Sequence, residues 1–109
     1  MAAPRVMVVE DERIVALNLC QTLRRLGYDT GTIAATGEAA LQCIAEQPPD
    51  LVLMDIRIEG EIDGIDTAAR IPPSLMVPVI YLTAHSEEAT LARARHQSLW
   101  ISAEAVLRA

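Results

Sequence analysis

Three short apolar runs stand out along the chain, and each ends on a polar residue. They are "RVMVVE", "LVLMD" and "VPVIYLT", which end on Glu10, Asp55 and Thr83. Polar and apolar residues do not alternate within them, which is typical of strands buried on both faces. A weaker run, "DTGTIAAT", contains Gly31 and follows the first of the three. The pattern predicts four β-strands.

The segments between these runs have helical periodicity and recognisable ends. The predicted helices span residues 12–26, 37–46, 65–70 and 86–95. Gly27 is suited to the residue after a helix C-terminus, and Thr36 and Ser86 can cap N-termini. Strands and helices that alternate at crossover spacing indicate an α/β fold, a doubly wound parallel sheet with helices on both faces. We assign residues 1–95 to one domain and residues 96–109 to a tail.

Composition narrows the classes of function. The 109 residues suffice for one domain, and 51% of them are hydrophobic, which fits a globular protein. A net charge of -6 disfavours direct binding to nucleic acid or to an anionic membrane, because both need a basic surface. No segment is typical of a signal peptide or a membrane span, so we expect a cytoplasmic protein.

Carboxylates follow the first and third of the predicted strands. If these two strands are neighbours, Glu10, Asp11 and Asp55 meet at one edge of the sheet. Two like charges about 4 Å apart repel by roughly 4 kcal/mol at an effective dielectric constant near 20. Such a cluster either binds protons or holds a hard cation such as Mg²⁺. The alternative is a set of solvated acids that cap helices.

A carboxylate beside Mg²⁺ can act as a nucleophile towards a phosphoryl group. The hydroxyl of Thr83, at the end of a further strand, could then bind a phosphoryl oxygen. The sequence contains no glycine-rich phosphate loop and no zinc-ligand spacing that would favour another chemistry.

The motifs "VMVVEDE", "GYDTGTIAATGEAAL", "PDLVLMDIRIEGEIDGID" and "VPVIYLTAHSEE" occur in a characteristic order and spacing. Together they strongly resemble the receiver domain of two-component response regulators, over about Arg5 to Arg95. The resemblance implies a flavodoxin-like fold with strand order 2-1-3-4-5. It also implies a phosphoprotein of a signalling phosphorelay. Beyond phosphorylating and slowly dephosphorylating itself, such a domain is not an enzyme.

The resemblance also implies roles for individual residues. Asp55 would accept the phosphoryl group from a sensor histidine kinase or a phosphotransfer protein. Thr83 would be the switch hydroxyl, and Ala84 the small residue that leaves room for the phosphate. The implied Mg²⁺ ligands are Glu10, Asp11, Asp55 and the backbone carbonyl of Arg57.

The C-terminal tail departs from the family pattern. Receiver domains usually end a fifth strand with "GYLxKPF", whose lysine couples the phosphoryl group to the switch, and a fifth helix follows. This chain has no lysine, and "RHQSLWISAEAVLRA" lacks the motif. We therefore expect four β/α units, with the fifth strand and helix missing or replaced, and impaired switching.

A one-base shift of the reading frame offers an explanation. Reverse translation of "HQSLWISAEAVL" in that frame allows codons for Gly-Tyr-Leu, a variable residue and Lys-Pro-Phe. Our hypothesis is that residues from about His96 onward are translated out of frame, which sequencing of the coding DNA would test.

Two other functions remain open. A receiver without a fifth strand would expose the edge "VPVIYL" and could be a non-signalling structural module that self-associates through this edge. An aspartate-based phosphohydrolase would also carry an acid after an apolar strand. Such enzymes have a second aspartate two residues further on, where this chain has Arg57.

Overall fold

The computed structural model describes residues 3–83 and 99–102. They form one parallel sheet of five strands in the order β2-β1-β3-β4-β5. The strands are β1 (Arg5–Val9), β2 (Asp29–Ala34), β3 (Leu51–Asp55), β4 (Val79–Thr83) and β5 (Leu99–Ser102). The helices are α1 (Arg13–Arg25), α2 (Gly37–Glu46) and α3 (Gly64–Ala69), with a short 3₁₀ helix at Pro73–Leu75. The predicted doubly wound fold and strand order are confirmed.

Alternate residues of the central strands enter two separate hydrophobic cores. Val6, Val8 and Leu53 pack with α1 on one face of the sheet. Val9 and Met54 belong to the core on the opposite face, together with residues of α2 and α3. Burial on both faces explains why β1 and β3 contain apolar residues without alternation.

Helix α1 ends as predicted and buries only part of the apolar residues that predict it. Gly27 has a φ of 96°, and its N–H and that of Tyr28 bond to carbonyls in the last turn of the helix, as in a Schellman motif. The apolar residues at helical spacing are Ile14, Leu17, Leu19, Leu23 and Leu26, of which Leu19 and Leu23 are buried and the other three are exposed. Ala16 and Cys20 complete the buried face, which follows the i, i+3, i+4, i+7 spacing.

The other two helices have side-chain caps at their N-termini. The Thr36 hydroxyl accepts a hydrogen bond from the Ala39 N–H at 3.1 Å, which confirms the predicted cap of α2. Helix α3 starts at Gly64, one residue earlier than predicted, because Asp63 and Asp66 form a reciprocal capping box.

The fifth strand position is occupied by residues of the tail. The backbone of β5 pairs in parallel with β4, from Ile80 opposite Leu99 to Thr83 opposite Ser102. The fifth strand was expected to be either missing or replaced, and in the structure it is replaced by residues of the tail. The expected open edge on β4 is therefore wrong, because this strand has partners on both sides. The predicted helix at 86–95 and residues 103–109 lie outside the described residues.

Candidate acidic site

The candidate site lies where β1 and β3 end side by side. These strands are direct neighbours, and their register pairs Val9 with Met54. Glu10 and Asp55 therefore follow at the same edge of the sheet. The Glu10 N–H donates to the Ala34 carbonyl of β2 at 2.9 Å, which holds the chain in line just beyond β1. The fold thus brings together carboxylates that are far apart in sequence.

Three carboxylates converge at this edge. Glu10, Asp11 and Asp55 each offer an oxygen within 4.8 Å of the oxygens of the others. Glu10 is only 6% exposed, and the other two are partly buried. The sequence prediction that these acids meet is confirmed.

Backbone amides orient two of the three carboxylates. The Glu12 N–H donates to Glu10 Oε1 at 3.0 Å, and the Arg57 N–H donates to Asp55 Oδ1 at 3.2 Å. Each bond comes from a residue two positions further along the chain, so the turns that leave β1 and β3 fix these carboxylates. Glu12 itself points into solvent as an exposed residue.

Burial and mutual repulsion raise the pKa of the central acids. Desolvation, followed by the hydrogen bond with Asp55, raises the pKa of Glu10 from 4.5 to about 8. Desolvation also raises the pKa of Asp55, with a further contribution from the charges of Asp11 and Glu12, while its bond with Glu10 acts in the opposite direction. Both shifts favour a proton on this pair of carboxyl groups near neutral pH when no cation is bound.

The donor set fits a hard divalent cation. Carboxylate oxygens are ligands of Ca²⁺ and Mg²⁺, and a small site with few protein ligands favours Mg²⁺. A cation would replace the proton of the carboxyl pair and balance the negative charge. The three residues are therefore a candidate cation site.

The remaining predicted site residues are only partly placed. Thr83 ends β4 one position beyond Leu82, which pairs with Asp55, so its backbone lies at the same edge of the sheet. Arg57 is exposed, and its N–H contacts Asp55. The role of its carbonyl as a ligand stays a prediction. Ala84 lies outside the described residues.

The loop after β3 is more ordered than its composition indicates. Ile56, Ile58 and Ile62 are buried, whereas the charged residues between them are exposed. Glu59 forms an isolated parallel bridge with Thr36, the cap of α2. The loop is thus anchored at the N-terminus of α2. The spacing of the three isoleucines was the signal that could have revealed this.

A comparison with models of protein families leads to the same kind of domain as the strand order and the acidic edge. The model of the response regulator receiver domain matches residues 6–100. The chain belongs to this family. The match extends past the boundary that we placed at Arg95, into the residues of β5.

Curated relatives and solved structures support the same assignment. The receiver domain is 36% identical over 91 residues to the transcriptional regulatory protein PdtaR of Mycobacterium tuberculosis (strain ATCC 25618 / H37Rv), covering 84% of this chain and 44% of that protein. It is 35% identical over 85 residues to the transcriptional regulatory protein AfsQ1 of Streptomyces coelicolor, covering 78% of this chain and 37% of that protein. The chain thus spans less than half the length of these relatives.

Among solved structures, the fold is similar to the signal receiver domain of a modulated diguanylate cyclase from Desulfovibrio desulfuricans G20. The TM-score is 0.84 at 33% identity, with 97% of this chain and 89% of that chain covered. For the signal receiver domain of the response regulator NarL from Mycobacterium tuberculosis, the TM-score is 0.80 at 26% identity, with 99% and 93% covered. None of the helices in residues 3–83 has the length and apolar content that a membrane crossing requires.

Proposed function

We propose that this receiver domain accepts a phosphoryl group on Asp55 from a phosphohistidine of a sensor histidine kinase or phosphotransfer protein. The observation that carries the proposal is the convergence of Glu10, Asp11 and Asp55 at the carboxyl ends of β1 and β3. This placement leaves a carboxylate nucleophile beside two further acids, at the edge where parallel sheets bind ligands.

The protein's own residues would hold and orient the nucleophile. A carboxylate oxygen of Asp55 forms a bond to phosphorus while the phosphorus–nitrogen bond of the phosphohistidine breaks, and the imidazole nitrogen keeps the bonding electrons and takes a proton from solvent. The Arg57 N–H donates a hydrogen bond to Asp55 Oδ1 and orients the carboxylate. The backbone position of Thr83 supports its predicted role as a donor to a phosphoryl oxygen.

Glu10, Asp11, Asp55 and the Arg57 carbonyl are the residues that would hold Mg²⁺. The bound ion would supply positive charge that offsets the carboxylates and the phosphoryl oxygens. The raised pKa of Glu10 is consistent with this role: burial, with a smaller contribution from the charge of Asp55, disfavours the bare carboxylate, and a cation would offset that charge.

Transmission of the signal from Asp55 would be weak in this chain. The chain contains no lysine, so the ammonium group that the family places beside the phosphoryl group is absent. We therefore propose a domain that is phosphorylated more readily than it switches. The alternative of a self-associating structural module loses its main argument, because β5 covers the edge of β4.

Phosphorylation of Asp55 can be tested with a small donor. Acetyl phosphate and Mg²⁺ should label the purified chain with one phosphoryl group, detected by intact mass spectrometry. Asp55→Asn should abolish the label, because the amide is not a nucleophile for this step, and EDTA should suppress it.

Two results would contradict the proposal. Label that persists in Asp55→Asn would place the acceptor elsewhere. Continuous hydrolysis of p-nitrophenyl phosphate, measured by release of nitrophenolate over many turnovers, would instead favour the phosphohydrolase. Asp50→Asn is a matched control, since Asp50 lies at the opposite end of β3 and bonds to the Arg5 N–H.

A further inference from the structure

Gly64, the first residue of α3, lies against the backbone of the acidic site. A Cβ atom at this position would overlap the carbonyl oxygen of Asp55, and it would lie 2.9 Å from the Cα of Ile56 and from Cγ of Met54. Two of these three contacts are with backbone atoms, which cannot move aside as a flexible side chain can. Only a residue without a side chain fits this position as the structure stands.

A hydrogen bond also joins Gly64 to the backbone beside Asp55. The Gly64 N–H donates to the Ile56 carbonyl at 2.7 Å, so the two ends of the loop after β3 are joined. Ile56 is the residue between Asp55 and Arg57, and the Arg57 N–H in turn donates to the Asp55 carboxylate. The start of α3 therefore determines where the Ile56–Arg57 backbone lies.

The helix start is itself firmly held. Asp63 and Asp66 form the capping box, and the buried Thr67 hydroxyl donates to the Asp63 carbonyl at 2.7 Å. A displaced loop could not be accommodated by a simple shift of α3, because these bonds and the burial of Ile65 fix the helix. A side chain added at Gly64 would therefore displace the backbone of Asp55 and Arg57 and leave α3 in place.

We infer that Gly64 is a positioning residue for the acidic site, because its close contact with Asp55 and Ile56 sets the backbone that orients the Asp55 carboxylate and the Arg57 amide. The inference rests on the proposed function, and it adds a residue outside the predicted ligand set. An added methyl group would displace that backbone and weaken cation binding before it abolished the fold.

The test compares Gly64→Ala with Gly37→Ala. Gly37 is also crowded, but by side chains: a Cβ there would overlap the Thr67 hydroxyl and lie 2.7 Å from Ile62 Cγ1, and its nearest neighbours do not include Asp55 or Ile56. Both variants should lose stability through overpacking. Mg²⁺ affinity, measured by calorimetric titration, should fall on the order of tenfold for Gly64→Ala, as is typical when support of metal ligands is lost. It should fall less for Gly37→Ala, because crowding at Gly37 reaches the start of α3 only through the Thr67 side chain.

A double variant separates positioning from crowding of the core. Met54→Ala with Gly64→Ala removes the contact with the Met54 side chain and leaves both backbone contacts. The double variant should lose less stability than the sum of the two single losses, whereas Mg²⁺ affinity and the rate of labelling by acetyl phosphate should stay low. Recovery of Mg²⁺ affinity and labelling in the double variant would overturn the inference, and so would equal Mg²⁺ affinity of Gly64→Ala and the wild type.

A measurement on the wild type covers the case in which Gly64→Ala does not fold. In ¹H–¹⁵N NMR spectra, Mg²⁺ should shift the amide resonance of Gly64 more than that of Gly37. Equal shifts would contradict the inference. If the wild type neither binds Mg²⁺ nor becomes labelled, the proposed function itself is wrong. If the wild type does both and Gly64→Ala keeps the same Mg²⁺ affinity, only the role of Gly64 is contradicted.

Discussion

At the scale of single residues, the acidic site makes the stability of the protein depend on pH. The pKa of Glu10 is raised to about 8, mainly by desolvation, whereas an exposed glutamate in the unfolded chain has a pKa near 4.5. Between these values the folded state holds a proton that the unfolded state releases. The free energy of unfolding of the metal-free protein should therefore fall as pH rises through this window, by at most about 1.4 kcal/mol per pH unit for one proton.

Urea unfolding in EDTA at several pH values between 5 and 8.5 would measure this slope. Glu10→Gln should flatten it, because the amide does not titrate, while Glu46→Gln on the exposed end of α2 should leave it unchanged. A wild-type stability that rises with pH across this window would contradict the predicted sign. Mg²⁺ should raise stability most at the upper end of the range, where the carboxylates are charged.

Among single residues, the three acids of the site can be predicted from the sequence, whereas Gly64 cannot. Glu10, Asp11 and Asp55 were identified because they end apolar runs, and the fold of parallel strands brings such ends together. Gly64 was not singled out, because a glycine in an acidic loop has many explanations. Its contact with Asp55 depends on how α3 returns to the sheet, which local spacing does not encode.

At the scale of elements, β5 determines whether β4 is an edge. The backbone of Leu99–Ser102 satisfies one side of β4 in the parallel ladder. A chain that ends before Leu99 would present unpaired N–H and C=O groups along a strand whose Val79, Tyr81 and Leu82 are buried. Such a chain should self-associate.

Sedimentation velocity at tens of micromolar checks this expectation. Deletion of residues 99–109 should give concentration-dependent oligomers and a lower midpoint of thermal unfolding. Deletion of residues 103–109, which retains β5, should sediment as the full chain does. Identical behaviour of the two deletions would mean that the pairing of β5 with β4 contributes little.

The elements differ in how well their sequences predict them. The bounds of α2 and β3 agree with the prediction, because a Thr cap, prolines and an uninterrupted apolar run mark them locally. The buried face of α1 was less predictable, since Ile14 and Leu17 share its helical periodicity but lie in solvent. Only contact with the sheet distinguishes one apolar stripe of that helix from the next.

At the scale of the whole molecule, the domain has the acceptor site that we propose at Asp55, and the sequence contains no lysine that could couple this site to β4. Beryllofluoride, a phosphoryl mimic, should bind with Mg²⁺ and shift NMR resonances around Asp55. Shifts along β4 should be small, because no ammonium group links the ligand to that part of the sheet. Ser102→Lys places a lysine at the end of β5, where the backbone pairs with Thr83, and should enlarge the shifts along β4.

The matched variant Thr32→Lys, on the exposed part of the edge strand β2, should not have this effect. Large shifts along β4 in the wild type, equal to those of Ser102→Lys, would mean that the switch works without a lysine. If beryllofluoride and Mg²⁺ shift no NMR resonances near Asp55, the site itself does not bind the mimic.

The sequence by itself determined the fold class, the strand order through its family pattern, and the acids that form the site. It could do so because uninterrupted apolar runs, helix caps and strand-end carboxylates are local features with direct physical consequences. Only the tertiary structure decided that residues of the tail complete the sheet, that the loop after β3 is anchored on α2, and that Gly64 packs on Asp55. These depend on contacts between segments distant along the chain, whose geometry is set by how whole elements pack.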